Sequence, residues 1–265
     1  MQRKFLNAAT LALAFLVSAC SLLPDQIDET KNWSAARLYS EAQTELTAGN
    51  YDKAIKNLEK LESRYPFGTY AQQAQMDIAY TYYRQGEQAQ ALAAVERFIK
   101  LHPNHASVDY MYYLRGLINF NDKLSLFGFL SRQDPTERDP KAARDAFDAF
   151  KQLTDRFPDS KYAPDARERM RYLVNAMSAY EVHVAGYYYR RGAYLAAANR
   201  AQITVKNYPE TPAAEQALFI MARSYDALGL DTLRDDAERV LKLNYPNSDF
   251  FRGGKSESKA WWNIF

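Results

Sequence analysis

Apolar residues recur at helical spacing through most of the chain. In three segments they are separated by three or four residues: Ala54, Leu58 and Leu61; Ala91, Val95 and Phe98; Ala146, Phe150 and Leu153. This spacing puts each set on one face of a helix, and no stretch of any length alternates apolar and polar residues with a period of two. The pattern predicts an all-α fold.

A ring side chain followed by proline punctuates the chain five times, at Tyr65-Pro66, His102-Pro103, Phe157-Pro158, Tyr208-Pro209 and Tyr245-Pro246. Small residues stand at constant distances before these prolines: Gly49, Gly86, Gly192 and Gly229; Ala42, Ala79, Ala185 and Ala222; Ala54, Ala91, Ala146 and Ala197, where the fifth copy departs with Arg234. Glycine turns a chain out of a helix and proline ends one, so each copy predicts two antiparallel helices that cross closely.

The second helix of each copy resembles that of the tetratricopeptide repeat, which Ala146-x₃-Phe150…Pro158 matches as written. The resemblance implies a superhelical array over residues 33–248, with first helices lining a concave groove. Its five repeats are 33–68, 69–105, 106–160, 161–211 and 212–248.

Two repeats are longer than the rest, because the intervals between the prolines are 37, 55, 51 and 37 residues. Gly116 stands where other copies have alanine, so the third repeat's extra residues are predicted as a loop from Asn121 to Pro140 between its two helices. The fourth repeat has 14 extra residues before Ala185, close to four helical turns. This lengthening predicts one helix from Ala163 to Arg190 that projects beyond the array.

The beginning of the chain predicts a processed and lipidated terminus. Arg3 and Lys4 precede a twelve-residue apolar stretch, too short to span a bilayer as a helix. Val17-Ser18-Ala19-Cys20 resembles a bacterial lipobox, which makes residues 1–19 a signal peptide and 20–32 an anchored linker. Cys20 would carry diacylglycerol and an N-acyl chain such as palmitate. An ordinary secretory signal with a chance cysteine is the alternative.

Three further features narrow the function. Ser21, not aspartate, follows Cys20, which by resemblance favours the outer membrane, with the protein facing the periplasm. The formal charge of +2 includes Arg3 and Lys4, so the chain from Cys20 onward has a side-chain charge of 0. No polybasic run is present, so we expect no nucleic-acid partner. A single cysteine excludes an intramolecular disulfide.

No convergent set of catalytic groups stands out, and we expect a binding scaffold, not an enzyme, with no metal and no cofactor beyond the lipid. His102 and His105 form an H-x-x-H pair, but His102 takes the ring position before a proline, which favours packing. His183 has no paired His or Cys on its helix. Residues 249–265 are predicted to be a flexible tail, whose end Trp261-Trp262-Asn263-Ile264-Phe265 either docks on a surface or has no role.

The lipobox, the five repeats and the insertion in the third together resemble the BamD (ComL/YfiO) family of outer-membrane β-barrel assembly lipoproteins. The matching segments are Arg64-Tyr65-Pro66-Phe67-Gly68, Asp109-Tyr110, Arg115-Gly116-Leu117, Arg138-Asp139-Pro140, Arg191-Gly192-Ala193 and Asn199-Arg200. The resemblance implies a scaffold in the Bam complex that binds the periplasmic domains of BamA, other Bam lipoproteins and unfolded outer-membrane proteins.

The resemblance also implies site residues. The BamA-facing arginine falls on Arg200, with Arg191 and Asn199 beside it in the matched motifs; an exposed surface arginine is the alternative. Substrate recognition falls on Tyr65, Phe67 and Tyr70. The first helices carry eight tyrosines: Tyr39, Tyr80, Tyr83, Tyr112, Tyr113, Tyr187, Tyr188 and Tyr225. Of these, Tyr80, Tyr83 and Tyr113 are groove candidates, and interhelix packing is the alternative. A second possible function is a peptidoglycan-associated structural lipoprotein.

Overall fold

The computed structural model describes residues 28–120 and 140–251, where every regular element is helical. The all-α prediction is therefore confirmed. The α-helices are α1 (Ala35–Thr47), α2 (Tyr51–Arg64), α3 (Thr69–Gln85), α4 (Gln88–Leu101), α5 (Val108–Asn119), α6 (Pro140–Arg156), α7 (Ala163–Arg190), α8 (Tyr194–Asn207), α9 (Ala213–Ala227) and α10 (Asp231–Asn244), followed by a 3₁₀ turn at Asp249–Phe251.

The turns lie where the sequence predicts them. All five second helices end two residues before the repeated proline, because a residue that precedes proline is disfavoured in the α conformation. The first helices of four repeats end just before the repeated glycine. Gly86, for example, has a φ of 85°, which a residue with a side chain adopts only under strain.

Buried small residues lie where the two helices of a repeat cross. On the first helices these are Ala42, Ala79, Ala185 and Ala222, and on the second helices Ala54, Ala91, Ala146 and Ala197. In the third repeat the two helices lie so close that a Cβ atom on Gly116 would overlap the fully buried ring of Phe150. Glycine at this crossing is thus a requirement of packing and not of backbone conformation.

Each helix packs on the next along the chain, and the first helices also pack on one another, α1 on α3, α3 on α5 and α7 on α9. Within the described ranges no two second helices approach as closely. The first helices therefore form the inner layer of the curve, the side on which the groove was predicted.

Helix α7 has the predicted bounds, Ala163–Arg190. The expectation that it projects beyond the array is wrong, since residues along its length are buried. Ala166 and Leu173 join the core formed with α5 and α6, whereas Val182 and Ala185 join the core formed with α8 and α9. Because the insertion is close to a whole number of turns, its apolar residues stay on the buried face of the helix, where α6 covers them. No helix in the described part of the chain is long and apolar enough to cross a membrane.

Three predicted features fall outside the described residues wholly or in part. The signal peptide and Cys20 lie outside them, as does the inserted loop up to its last residue, Pro140, which begins α6. The tail is described only to residue 251, and its first part packs on the array: the ring of Phe250 stacks on Phe219 with centroids 4.3 Å apart.

The end of the predicted linker is attached to α2 by charged groups. Asp28 accepts hydrogen bonds from Lys60 Nζ at 2.8 Å and from Thr30 Oγ1 at 2.6 Å. The guanidinium of Arg64 binds both Asp28 and the carbonyl oxygen of Thr30. The hydrogen bonds from Lys60 and Thr30, and the charge of Arg64, hold the pKa of Asp28 well below its usual value.

Replacing Gly116 by alanine is expected to destabilise the protein by about 1–3 kcal/mol, because the Phe150 ring must leave its position. Elsewhere in a helix the same change stabilises by about 1 kcal/mol, so the sign of the effect is diagnostic. Urea unfolding followed by circular dichroism measures it, with exposed Lys56→Ala on α2 as the control. A stability equal to or above that of the wild type would show that the crossing can relax.

Candidate functional site

Three predicted substrate residues form an exposed cluster where α2 meets α3. Phe67 is 91% exposed, Tyr70 42% and Tyr65 38%; we call them the junction aromatics. The Tyr65 hydroxyl donates to the carbonyl oxygen of Trp33 at 2.8 Å, and the Tyr70 ring lies 5.6 Å from that of Tyr39. Two of the rings are thus held against α1 and its entry, whereas Phe67 projects into water.

Local sequence explains why Phe67 is exposed. Pro66 prevents α2 from continuing, and Gly68 precedes α3 with a φ of 99°. Phe67 lies in the short connection between them and belongs to neither helix. A phenylalanine so exposed keeps nearly all of its apolar surface in water, where that surface is available to a partner.

The other three substrate candidates are more deeply packed. Tyr80 and Tyr83 rest against the core of the second repeat, and Arg84 Nη1 donates to the Tyr80 hydroxyl at 2.9 Å. Tyr113 stacks on Tyr162 with centroids 4.8 Å apart and donates to Asp165 Oδ2 at 2.7 Å.

Burial and the Asp165 carboxylate raise the pKa of Tyr113 to about 12. For Tyr113 the structure favours the packing alternative; the assignment of all three residues to substrate binding stays a prediction.

A carboxylate that the sequence analysis missed lies beside the junction aromatics. Asp77, which is partly exposed, accepts hydrogen bonds from Tyr39 Oη (2.9 Å), Gln43 Nε2 (2.6 Å) and Gln73 Nε2 (3.0 Å). Burial raises the pKa of Asp77, although these three donors oppose the rise. A sequence signal existed: Tyr70, Gln73, Asp77, Tyr80 and Arg84 follow alternating steps of three and four, which makes one stripe along α3.

Arg200 does not stand free on the surface. Its Nη1 atom lies 2.8 Å from Oε2 of Glu181 on α7, and the Glu181 side chain is only 4% exposed, whereas that of Arg200 is 38% exposed. The hydrogen bond with Glu181 raises the pKa of Arg200 further. Arg200 therefore neutralises a buried carboxylate and keeps part of its guanidinium towards solvent, a role that neither sequence interpretation included.

The two other partner candidates are exposed. Arg191 follows α7, and its guanidinium carbon lies 5.4 Å from the ring centroid of Tyr187. Asn199 lies on α8, one turn after Leu195, which is 60% exposed. Arg191 precedes the Gly192 turn and Arg200 lies within α8, so the two arginines belong to different arms of the hairpin. The structure thus brings the three candidates to one helical hairpin but not into mutual contact.

The histidines show packing contacts. The His102 ring lies 4.9 Å from that of Phe98, and its Nε2 atom is 2.8 Å from Oε1 of Gln75. These contacts agree with the packing interpretation of the ring before proline. Residues 28–120 and 140–251 contain no group of three His, Cys, Asp or Glu side chains that could hold a metal ion.

Residues 31–241 match the family described as YfiO, outer membrane lipoprotein. The chain belongs to the YfiO family of outer membrane lipoproteins. A relative from Neisseria meningitidis serogroup A is 46% identical over 97% of both chains, and one from Vibrio cholerae is 39% identical over 91% of this chain and 99% of its own. Both relatives are named outer membrane protein assembly factor BamD.

In this member of the YfiO family the Arg200–Glu181 pair is expected to stabilise the fold. Removing Arg200 leaves a buried carboxylate unpaired, so Arg200→Ala should cost about 2 kcal/mol, below the value for a fully buried pair because Arg200 is partly exposed. A double-mutant cycle with Glu181→Gln, followed by urea unfolding, should give a coupling energy of about 1–2 kcal/mol.

The exposed pair Arg171–Glu168, also on α7 and 2.9 Å apart, is the matched control and should couple by less than about 0.5 kcal/mol. Equal coupling in the two pairs would remove the structural role given to Arg200.

Proposed function

We propose that the protein is a lipid-anchored assembly factor for outer-membrane β-barrel proteins. In this proposal the N-terminal repeats receive the C-terminal segment of an unfolded barrel chain, and the C-terminal repeats bind the periplasmic domains of BamA. Other Bam lipoproteins are further partners. The names of the relatives support the assembly role. The observation that carries the binding mechanism is the exposure of Phe67.

Substrate capture by the junction aromatics follows from elementary energetics. Burying a phenylalanine side chain stabilises a complex by about 1.5–3 kcal/mol, and nothing in the described fold buries the ring of Phe67. An extended segment that ends in an aromatic residue offers a second ring for Phe67 and Tyr70 to contact. Binding of this kind needs no catalytic group and no cofactor.

The anchor on Cys20 would hold this cluster close to the membrane. Asp28 stands eight positions after Cys20, a length of chain that spans at most about 29 Å when extended. Asp28 is bound to Arg64, the residue before Tyr65. Two or more acyl chains on Cys20 give stable anchoring, so an aromatic surface would face barrel chains near the periplasmic side of the outer membrane.

The partner surface for BamA is the α7–α8 hairpin. Arg191 and Asn199 are exposed there, and Arg200 has donors left after it binds Glu181 through Nη1. A guanidinium binds a carboxylate through two parallel hydrogen bonds when the geometry allows. Glu181 fixes Arg200 from the buried side, which lowers the entropy that Arg200 loses on binding an acidic partner residue.

Phe67→Ala is expected to weaken binding of a peptide that ends in an aromatic residue by about tenfold, because the apolar contact is lost. Stability should not change, since Phe67 is 91% exposed. Fluorescence anisotropy of a labelled peptide against the full-length chain in detergent measures the affinity. Leu243→Ala, at a residue 71% exposed on α10, is the matched control and should bind as the wild type does. Unchanged affinity in Phe67→Ala would remove the junction aromatics from substrate binding.

Arg191→Glu is expected to weaken binding to the periplasmic domains of BamA by about tenfold, because it reverses the charge of the hairpin's exposed end. Co-purification and surface plasmon resonance measure the effect. Arg191 is the sharper choice, because Arg200→Glu would also place a second carboxylate beside buried Glu181.

Lys56→Glu makes the same charge reversal at an exposed position on α2, three repeats before the hairpin, and should leave BamA binding unchanged. Equal binding by Arg191→Glu and the wild type would exclude this end of the hairpin from the interface. Binding of the chain to purified peptidoglycan, with none to BamA, would support the structural alternative instead.

A further inference from the structure

We propose that Asp77 gives the groove a preference for peptides that carry a lysine or arginine side chain a few residues before their aromatic end. This inference rests on the proposed function, because it concerns the same substrate site. It adds a charge requirement to a surface that otherwise selects aromatic side chains.

The carboxylate of Asp77 lies on the inner layer beside the junction aromatics. Its three side-chain donors come from α1 and α3: Tyr39 Oη, Gln43 Nε2 and Gln73 Nε2. The ring of Tyr39, which donates to Asp77, is also the ring that contacts Tyr70. The carboxylate and the exposed aromatic residue are therefore linked through one side chain.

All three donors to Asp77 are neutral. Within residues 28–120 and 140–251, no lysine, arginine or histidine forms an ion pair with Asp77, whereas the buried Glu181 has Arg200 and Asp165 has Arg169. Arg84, two turns further along the stripe, is directed to the hydroxyls of Tyr80 and Tyr51. A partly exposed carboxylate with neutral donors keeps a capacity for a cation that a paired carboxylate has lost.

The spacing along α3 defines the peptide. Tyr70 and Asp77 are seven residues apart on one helix face, or about 10.5 Å. An extended peptide rises about 3.3 Å per residue, so this distance corresponds to about three residues. A long basic side chain two to four residues before the aromatic end can therefore reach Asp77 while the terminal ring contacts Phe67 and Tyr70.

A purely structural role for Asp77 makes a different prediction. Two of the three hydrogen bonds, from Tyr39 and Gln43, join α1 to α3, and a structural role of this kind depends only on an acceptor at this position. It would make binding indifferent to the charge of the peptide. Charge selectivity, and not stability, therefore separates the two roles.

The test compares peptides that end in phenylalanine and differ only in having lysine, glutamine or glutamate at two, three or four residues before it. Affinities for the full-length chain in detergent are measured by fluorescence anisotropy at low ionic strength. We expect the lysine peptide to bind about tenfold more tightly than the glutamine peptide at one or more positions, and the glutamate peptide most weakly. Asp77→Asn should abolish the lysine preference, so that the lysine and glutamine peptides bind this variant with equal affinity.

Asp165→Asn, which removes a carboxylate already paired with Arg169 at 2.7 Å, is the matched control and should keep the lysine preference. Equal affinity of the wild type for the three peptides would overturn the inference, whether or not Asp77→Asn folds. If those equal affinities all fall in Phe67→Ala, the proposed substrate site stands without the charge requirement. If no peptide binds, the proposed substrate site itself fails.

Discussion

The close crossing of two helices within each repeat is the contact on which the array depends. Alanine or glycine at the crossing brings the backbones together, so the larger apolar residues of each repeat reach the helices of the next. Gly116 and Phe150 show how little space remains, because even one added carbon atom would overlap the ring. The stacking of one repeat on the next follows from this arrangement.

Two of the most exposed candidate binding residues lie at helix connections, outside these crossings. Phe67 is exposed in the connection between the first and second repeats, and Arg191 follows the first helix of the fourth. Between these two residues, α7 belongs to two cores at once, through Leu173 on one side and Val182 on the other. A continuous helix shared by two cores makes the middle and the C-terminal repeats a single packed unit.

Three carboxylates show how burial decides the use of a charge. Asp28 keeps 35% of its side chain exposed and binds Lys60 and Arg64, which orients the linker but contributes little free energy in water. Glu181 is buried and requires Arg200, so this arginine has a structural task before any partner arrives. Asp77 lies between these extremes and has neutral donors, which is why it is the candidate for binding a cation from outside the chain.

Local sequence alone determined the helix ends, the glycine turns and the length of α7, because backbone sterics at proline and glycine and the period of apolar residues act over a few neighbours. It also placed Phe67 in a connection. Only the tertiary structure decided that α7 packs against its neighbours and does not project beyond the array, that Arg200 pairs with Glu181, and that Asp77 lies beside Tyr39, 38 residues away. These contacts depend on how helices pack against one another within a repeat and between repeats, and the spacing of residues in a single helix does not encode that packing.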